Sequence, residues 1–357
     1  MRLRHARAHV VGGAPGGAID GVYGALSWRE GVLLELVDDD GHTGWGEASP
    51  LPGLSREVIA DVRTALGALD PAAFSLDGSP ILAVERALES IPRALPSARF
   101  ALETALLDLL ARARATSVAA LLGAAPDARR ELSALLAGDS ADALARAATR
   151  AVGDGARTLK LKLDGRAPLE DAVARVRAVR AAAPAPVALR LDANATFDPD
   201  GVLDSLRALA ASGVQLVEEP VFGRALLGLS SSAIPIAVDE SLAHADATLR
   251  DALVAMACAV VLKPTVLGGV LACRTLAREA HSRGVPAIIT HTLDGPIALA
   301  AACALALALP RGLAHGLAPH PALAAYPSAH VDAIDGFELA TPATLGLGVH
   351  GCFGAAA

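Results

Sequence analysis

From about residue 132 onward, short apolar runs alternate with helical segments, and this alternation is the strongest constraint on the fold. Helical segments rich in alanine, arginine and leucine fill most of the gaps between the runs, for example residues 167–182 and 269–283. Strands at this spacing, joined by crossover helices, are expected to be parallel. The runs cover residues 132–137, 158–163, 187–192, 214–218, 234–239, 258–263, 286–290 and 312–316.

Seven or eight strand–helix units predict a closed, TIM-like (β/α)7β barrel over residues 106–319. An open doubly wound sheet is the alternative, but no G-x-G-x-x-G motif follows a first strand. Residues 1–105 instead indicate an α+β capping domain, to which residues 320–357 are expected to return. A hairpin is predicted there, with the acidic turn after residue 37 joining the runs 31–37 and 43–47.

Two further segments of the first hundred residues carry expectations of their own. The glycine-rich residues 12–17 are expected to form a mobile loop. Residues 98–114 are predicted to form an amphipathic helix that leads into the barrel.

The composition indicates a protein with a large apolar core, since 53% of the residues are hydrophobic. No apolar run reaches the roughly 20 residues that cross a bilayer, and the longest, residues 297–309, is flanked by prolines and indicates a buried helix. The net charge of −7 and the absence of basic tracts argue against nucleic acid as a partner. The four cysteines form no CxxC pair, which is typical of reduced thiols. We therefore expect a cytoplasmic protein, with no membrane or nucleic-acid partner, that can form a homo-oligomer.

Lysine is almost absent from this chain, which has 28 arginines and only Lys160, Lys162 and Lys263. A lysine side chain can lose its proton when it is desolvated or placed near other cations, whereas a guanidinium group in effect cannot. The three lysines are therefore predicted to serve proton transfer. The alternative is that three surface lysines escaped a codon bias.

Charged residues end five successive apolar runs. Lys162, Asp192, Glu218, Asp239 and Lys263 follow one another at intervals of 30, 26, 21 and 24 residues, about one strand–helix unit each. Each residue therefore lies where a barrel strand meets its loop, which is the face on which barrel enzymes carry out their chemistry. The sequence predicts that these side chains meet around one mouth.

Three carboxylates from adjacent strands repel one another and are unfavourable to bury without a cation. Oxygen ligands without a nearby histidine or cysteine favour Mg²⁺ over Zn²⁺. A substrate carboxylate can complete the shell of such an ion, which acidifies the neighbouring C–H by stabilising the enediolate formed on proton removal. A lysine on each side of the metal can then act as base, acid or electrostatic partner. The predicted ligand is thus a small carboxylate.

Taken singly, these residues have simpler explanations. An aspartate at a strand end is often a helix cap or a turn former. Glu219 follows Glu218 directly, and because adjacent strand side chains point to opposite faces, its role stays open. Asn194, the only asparagine, either supports the metal ligands or forms a turn. His291 lies near the predicted mouth, where a structural histidine is an equal alternative.

The ordered motifs KLKLD, RLDAN, VEEP, VDES and VLKP resemble the muconate-lactonizing-enzyme subgroup of the enolase superfamily. Within that subgroup the chain is most similar to the o-succinylbenzoate synthases, the dehydratases of menaquinone biosynthesis. Two further stretches support this resemblance. They are GWGEASPLPGLSRE, at residues 44–57, and PSARFALETALLDL, at residues 96–109.

The resemblance implies a role for each candidate residue. Lys162 is the acid/base that removes the α proton and assists the departure of hydroxide, and Lys160 lowers its pKa. Lys263 holds the opposite face of the ring by its charge and a cation–π contact. The metal ligands are Asp192, Glu218 and Asp239, with Asn194 supporting them. Residues 44–57 resemble the substrate-capping loop of those enzymes. The substrate contacts are Leu54 in this loop and Thr290, His291 and Thr292 after the seventh strand.

The segment THTLDGP, at residues 290–296, departs from the serine-rich segment that o-succinylbenzoate synthases often carry there. The alternatives are therefore a dipeptide epimerase or an N-acylamino-acid racemase of the same superfamily. The Asp-x-Asp pattern that many dipeptide epimerases use for the substrate amine is poorly matched by His291 and Asp294. A non-catalytic binding barrel is a more distant alternative.

Overall fold

The computed structural model describes residues 1–14, 19–21, 24–320 and 330–350. Residues 15–17 of the glycine-rich stretch and Cys352 lie outside the described residues. Within the described ranges, no helix combines the length and the apolar character that a membrane crossing requires.

An antiparallel sheet and three helices form the N-terminal module. The sheet has the order β1–β4–β5, and the β4–β5 hairpin is confirmed, with Val37 opposite Thr43 and Val32 opposite Ala48. Single 3₁₀ turns cover Pro71–Ala73 and Leu88–Ser90. The strands are β1 (Leu3–Gly13), β2 (Ile19–Gly21), β3 (Gly24–Leu26), β4 (Arg29–Asp38) and β5 (Thr43–Ala48), and the helices are α1 (Ile59–Gly67), α2 (Pro80–Ala87) and α3 (Pro96–Ala113).

Helix α3 lies between this sheet and the second module. It is not amphipathic, so that prediction is wrong: every residue from Phe100 to Ala111 is buried, because the helix is covered on all sides. The sheet approaches the helix backbone so closely that a Cβ atom at Gly46 would lie 1.8 Å from the carbonyl oxygen of Ala101. A glycine is therefore required at this point of β5.

Strands and helices alternate through the second module as predicted. Its elements are α4 (Val118–Leu121), β6 (Arg129–Glu131), β7 (Ala134–Leu136), α5 (Ala141–Gly153), β8 (Thr158–Lys162), α6 (Leu169–Ala182), β9 (Ala188–Asp192), α7 (Val202–Ala210), β10 (Leu216–Glu218), a 3₁₀ helix (Gly223–Leu229), β11 (Ile236–Val238), α8 (Glu240–His244), α9 (Ala247–Met256), β12 (Ala259–Leu262), α10 (Pro264–Leu267), α11 (Val270–Ser282), β13 (Ala287–Ile289) and α12 (Pro296–Ala308).

Among the described residues, seven of these strands form one parallel sheet, in the sequential order β7 to β13. The eighth predicted run does not form a strand of its own. Instead, single parallel bridges join His315 to Leu132 and Gly316 to Thr290, so that this segment links the first strand to the last. The fold is therefore the predicted TIM-like barrel with a capping module.

The two faces of the barrel strands carry separate apolar clusters. One cluster, distinct from the main core, consists of Leu216, Ala237, Ala259, Val261 and Ile288. Their neighbours Val217, Val238, Val260, Leu262 and Ile289 belong to the main core. Because side chains alternate along a strand, the small cluster fills the barrel interior while the main core lies under the helices. The next interior positions toward the C-terminal ends are charged: Glu218, Asp239 and Lys263.

The C-terminal tail contributes four short strands: β14 (His330–Val331), β15 (Ile334–Asp335), β16 (Glu338–Ala340) and β17 (Val349–His350). Strand β14 pairs with β17, and β16 pairs with β6. The tail also reaches α3, since the backbone N–H of Leu347 donates to Asp108 Oδ1 at 2.8 Å. The division of the chain near residue 105 stays a prediction.

Candidate active site

Five adjacent barrel strands bring the predicted charged residues together. Lys160 Nζ lies 2.9 Å from Asp192 Oδ2 and also contacts Glu218. On the other side of the group, Lys263 Nζ contacts Asp239 and lies 3.0 Å from Glu240 Oε1. The strand order β8 to β12 therefore places carboxylates in the middle and a lysine at each flank.

Lys160 and Lys162 share one face of β8, because they are two residues apart. They differ in exposure: Lys160 is largely buried, with its side chain 14% exposed, whereas Lys162 is exposed. The strand register places Lys162 opposite Asp192. Lys162 is thus the lysine that a molecule entering the mouth can reach.

The charges of this cluster compete with burial. Burial raises the pKa of Asp192, but the ammonium groups of Lys160, Lys162 and Lys263 outweigh it and hold that pKa at about 2. Burial and the repulsion of Glu240 raise the pKa of Asp239 well above its ordinary value, despite Lys263. Burial lowers the pKa of Lys160, but the neighbouring carboxylates raise it by more, so that this pKa lies above its ordinary value.

Residues beside the carboxylates hold them in place. Asn194 donates from its backbone N–H to Asp192 Oδ1 at 3.1 Å and from Nδ2 to Glu240 Oε1 at 3.1 Å. Glu219 accepts from the backbone N–H groups of Asp239 at 2.8 Å and Ser241 at 2.9 Å. Glu219 and Asn194 both have left-handed backbones, with φ of 40° and 41°. This backbone conformation directs the Glu219 side chain toward the end of β11. Glu219 therefore positions Asp239 through its backbone and does not belong to the charged cluster itself.

The residues of this cluster fit a magnesium ion. Asp192, Glu218 and Asp239 offer oxygen ligands from three adjacent strands. Together with Glu240 they make four carboxylates, which contact only the two ammonium groups of Lys160 and Lys263. The buried Oδ1 of Asn194 has no hydrogen-bond partner in the described part of the chain. An additional cation would relieve the repulsion that raises the pKa of Asp239.

A second group of ligand-type side chains lies at the β4–β5 turn. Single ligand atoms of Asp38, Asp40 and His42 lie within 4.8 Å of one another. Asp38 Oδ1 accepts from the backbone N–H groups of Asp40 at 3.0 Å and His42 at 2.8 Å. His42 Nδ1 lies 3.0 Å from Asp38 Oδ2. Hydrogen bonding within the turn explains this group.

The segment after β13 folds back on itself. The Thr290 hydroxyl donates to the carbonyl oxygen of Gly316 at 3.0 Å. Asp294 accepts from the hydroxyl groups of Thr292 at 2.8 Å and Thr265 at 3.0 Å. His291 Nε2 lies 3.3 Å from the carbonyl oxygen of Ala318. The hydroxyl groups of Thr290 and Thr292 therefore have partners within the protein. The assignment of Thr290, His291 and Thr292 as substrate contacts stays a prediction.

Buried charged residues of the capping module hold its loop over the barrel. Arg29, 1% exposed, donates to the carbonyl oxygens of Pro50 at 2.8 Å and Leu293 at 2.9 Å, and also contacts that of Ser49. Glu47 accepts from the backbone N–H of Gly295 at 2.6 Å. Residues 47–50 of the capping loop are thereby fixed to the segment after β13. Leu54 lines a cavity next to Lys263.

Arg29→Met is expected to lower the free energy of unfolding by about 2–4 kcal/mol, because buried carbonyl groups lose a charged donor. Asp294 Oδ1, 3.9 Å from the guanidinium, also loses a nearby positive charge. Urea denaturation measures this change. The matched control is Arg207→Met, which removes an exposed ion pair with Asp204 and should change stability by about 0.5 kcal/mol or less. If the free energy of unfolding of Arg29→Met falls by less than about 1 kcal/mol, the contacts of Arg29 do not hold the capping loop in place.

Three residues of this site were not predicted from the sequence: Glu240, Arg29 and Glu47. A signal existed for Glu240, since it directly follows Asp239 in the VDES motif. Arg29 is one of 28 arginines, and nothing in its immediate sequence distinguishes it.

Known proteins resemble this chain in sequence and in fold. An o-succinylbenzoate synthase from Thermobifida fusca is 36% identical over 159 residues, which cover 44% of this chain and 49% of that protein. An o-succinylbenzoate synthase from Desulfotalea psychrophila is 27% identical over 84% of this chain and 88% of that protein. The structure of a dipeptide epimerase from Enterococcus faecalis, complexed with Mg and the dipeptide L-Leu-L-Tyr, has a TM-score of 0.85 at 24% identity, covering 98% of this chain and 100% of that one.

Family models cover most of the chain. Residues 22–123 match the mandelate racemase/muconate lactonizing enzyme N-terminal domain, and residues 143–351 match the enolase C-terminal domain-like family. With charged residues at the ends of five successive barrel strands, this chain belongs to the enolase superfamily.

Proposed function

We propose that this protein is a magnesium-dependent dehydratase of the o-succinylbenzoate synthase type. Two relatives with that name support the proposal, one of them alignable over most of both chains. The proposed reaction removes a proton next to a carboxylate of a hydroxylated cyclohexadiene and expels water, which leaves an aromatic ring. Such a reaction belongs to menaquinone biosynthesis.

The observation that carries the proposal is the inward orientation of Asp294. Its carboxylate is buried and accepts hydrogen bonds from Thr265, from the hydroxyl group of Thr292 and from the backbone N–H of Thr292. It is therefore occupied within the protein and is not free to bind a substrate ammonium group. A free amine distinguishes a dipeptide from the substrate of the dehydratase, so this segment favours the dehydratase over a dipeptide epimerase.

The chain's own residues divide the work of the reaction. Magnesium, held by Asp192, Glu218 and Asp239, would neutralise charge on the substrate carboxylate. Lys162, in its neutral form, takes the proton from the carbon next to that carboxylate. The resulting ammonium group returns this proton to the hydroxyl group that leaves on the same face, so the hydroxyl departs as water.

Lys263 faces the substrate from the opposite flank of the site. Its contacts with Asp239 and Glu240 hold its ammonium group at a fixed place. In the dehydration it supplies positive charge beside the ring and transfers no proton.

An N-acylamino-acid racemase or dipeptide epimerase is the second candidate. The lysines on opposite flanks favour it, because racemisation requires one acid/base group on each face of the reacting carbon. The dipeptide epimerase from Enterococcus faecalis has the same fold.

A direct assay separates these functions. The purified protein is incubated with the cyclohexadiene substrate, with N-succinyl amino acids and with dipeptides, and dehydration and racemisation rates are compared. We expect dehydration to have the highest kcat/KM. Epimerisation of a dipeptide without dehydration would refute the proposal and support the second candidate.

Removal of magnesium is expected to reduce turnover by at least about a hundredfold, because the buried carboxylates then lack their cation. Dialysis against a chelator followed by addition of Mg²⁺ should abolish and restore activity. Asp239→Asn should act like the chelator while leaving the fold intact. The matched control is Asp40→Asn in the exposed β4–β5 turn, which should leave turnover unchanged. Full activity in metal-free buffer would contradict the magnesium assignment.

A further inference from the structure

A small cavity lies at the Lys263 flank of the charged cluster. Asp239, Glu240 and Lys263 line it at the end that belongs to the charged cluster, and His244, at the end of α8, also lines it. The rest of the lining is apolar. It consists of Leu54, Ala243, Val261, Val266 and Leu267. The part of a substrate that lies against this wall is therefore expected to be apolar.

Arg56 lies beside the cavity, on the capping loop that also carries Leu54. Its guanidinium group contacts His244 Nδ1. The ring of Phe222, on the loop after β10, lies edge-on to His244 at a centroid distance of 5.3 Å and an angle of 72°. Arg56, His244 and Phe222 are all exposed, and together we call them the rim cluster.

The rim cluster is positively charged. Because a guanidinium group only donates, His244 Nδ1 accepts the hydrogen bond from Arg56. Burial and the charge of Arg56 also lower the pKa of His244. Within the described residues, no carboxylate forms an ion pair with Arg56. Other exposed arginines, such as Arg166 and Arg283, do pair with an aspartate. The charge of Arg56 is therefore available to an incoming anion.

We propose that Arg56, oriented by His244, binds a second carboxylate at the far end of the substrate. This inference rests on the proposed function, in which the first carboxylate lies at the cluster of Asp192, Glu218 and Asp239. A guanidinium group matches a carboxylate with two parallel N–H donors. The apolar side chains of the cavity wall offer a surface against which the methylene groups between the two acids can pack. Arg56 is thus the residue that contacts the distal carboxylate of the succinyl arm, and it repels the free ammonium group of a dipeptide.

The test compares two ligands that differ only in the distal charge. The first is o-succinylbenzoate, the product of the proposed reaction, and the second is its monomethyl ester at the succinyl carboxylate. Calorimetry in the presence of Mg²⁺ gives Kd for wild type and for Arg56→Gln. Because the site is exposed, we expect wild type to bind the acid about tenfold more tightly than the ester. In Arg56→Gln this preference should disappear.

Two further variants serve as controls. Arg56→Lys keeps the charge and should retain part of the preference for the acid. Arg63→Gln, on the exposed side of α1, should leave both Kd values unchanged. If Arg56→Gln weakens the binding of both ligands equally, Arg56 only anchors the capping loop to α8, and the inference is wrong.

The outcomes for this subsite and for the proposed function differ. If wild type dehydrates the cyclohexadiene while Arg56→Gln keeps the preference for the acid, the function stands and the subsite is refuted. If wild type does not dehydrate the cyclohexadiene but prefers the acid to the ester, and Arg56→Gln lacks this preference, the subsite stands and the function is refuted. Wild type that binds neither ligand would overturn the subsite.

Discussion

Lys162→Arg is expected to lower kcat for dehydration by at least about a thousandfold. Proton transfer by a positioned side chain contributes roughly 10²–10⁴-fold, and a guanidinium group cannot act as the base. Lys162 is the exposed lysine of β8 and lies opposite Asp192 in the strand register. Steady-state kinetics, together with exchange of the α proton in deuterated solvent, measures the loss.

The fold should survive this substitution, because Lys162 is exposed and keeps its positive charge as arginine. The thermal midpoint and the affinity for Mg²⁺ should therefore stay close to those of wild type. Arg166→Lys is the matched control, since Arg166 is exposed in the loop after the same strand and pairs with Asp164. It should keep full activity. Retention of a tenth or more of wild-type kcat by Lys162→Arg would show that another group is the base.

The charged cluster could be predicted because its positions follow from strand geometry alone. Parallel barrel strands end on one face, and residues two apart share a side. Asp192, Glu218, Asp239 and Lys263 satisfy both conditions, and the rarity of lysine singled out Lys160 and Lys162. The same periodicity explains why Leu216, Ala237 and Val261 form the barrel interior.

Strand periodicity fails one residue past a strand end, and the supporting residues lie there. Alternation directs Glu240 away from Asp239, but α8 begins at Glu240 and the backbone of Asp239 has φ of −127° and ψ of −98°. Glu240 therefore contacts Lys263 instead of pointing away. Glu219, left open from the sequence, has a left-handed backbone that only the structure reveals.

Contacts between distant segments could not be predicted from sequence periodicity either. Arg29 and Leu293 are 264 residues apart, and Glu47 and Gly295 are 248 apart. No local pattern encodes such pairs, because each partner is specified by how the capping module lies on the barrel. The site's charged centre thus followed from the sequence, whereas the groups that enclose it did not.

Lys263→Arg should separate dehydration from racemisation. In the proposed dehydration Lys263 would supply charge, which arginine retains, and Glu240 can still accept a hydrogen bond from the guanidinium group. The larger planar group displaces the ring, so we expect dehydration to fall by roughly ten- to a hundredfold but to stay measurable. Racemisation of N-acyl amino acids requires Lys263 to transfer a proton on the second face, which arginine cannot do. That activity should fall by at least about a thousandfold.

Both reactions are assayed on the same purified variant, with solvent deuterium showing which face of the substrate still exchanges its proton. Exchange should persist on the Lys162 face and vanish on the Lys263 face. If Lys263→Arg loses both activities to the same extent, the electrostatic role assigned to Lys263 is wrong, although the dehydratase itself can stand. Because the carboxylates lie between the two lysines in strand order, each lysine is placed to serve one face of the substrate. The difference between dehydratase and racemase then depends on whether Lys263 ever exchanges its proton.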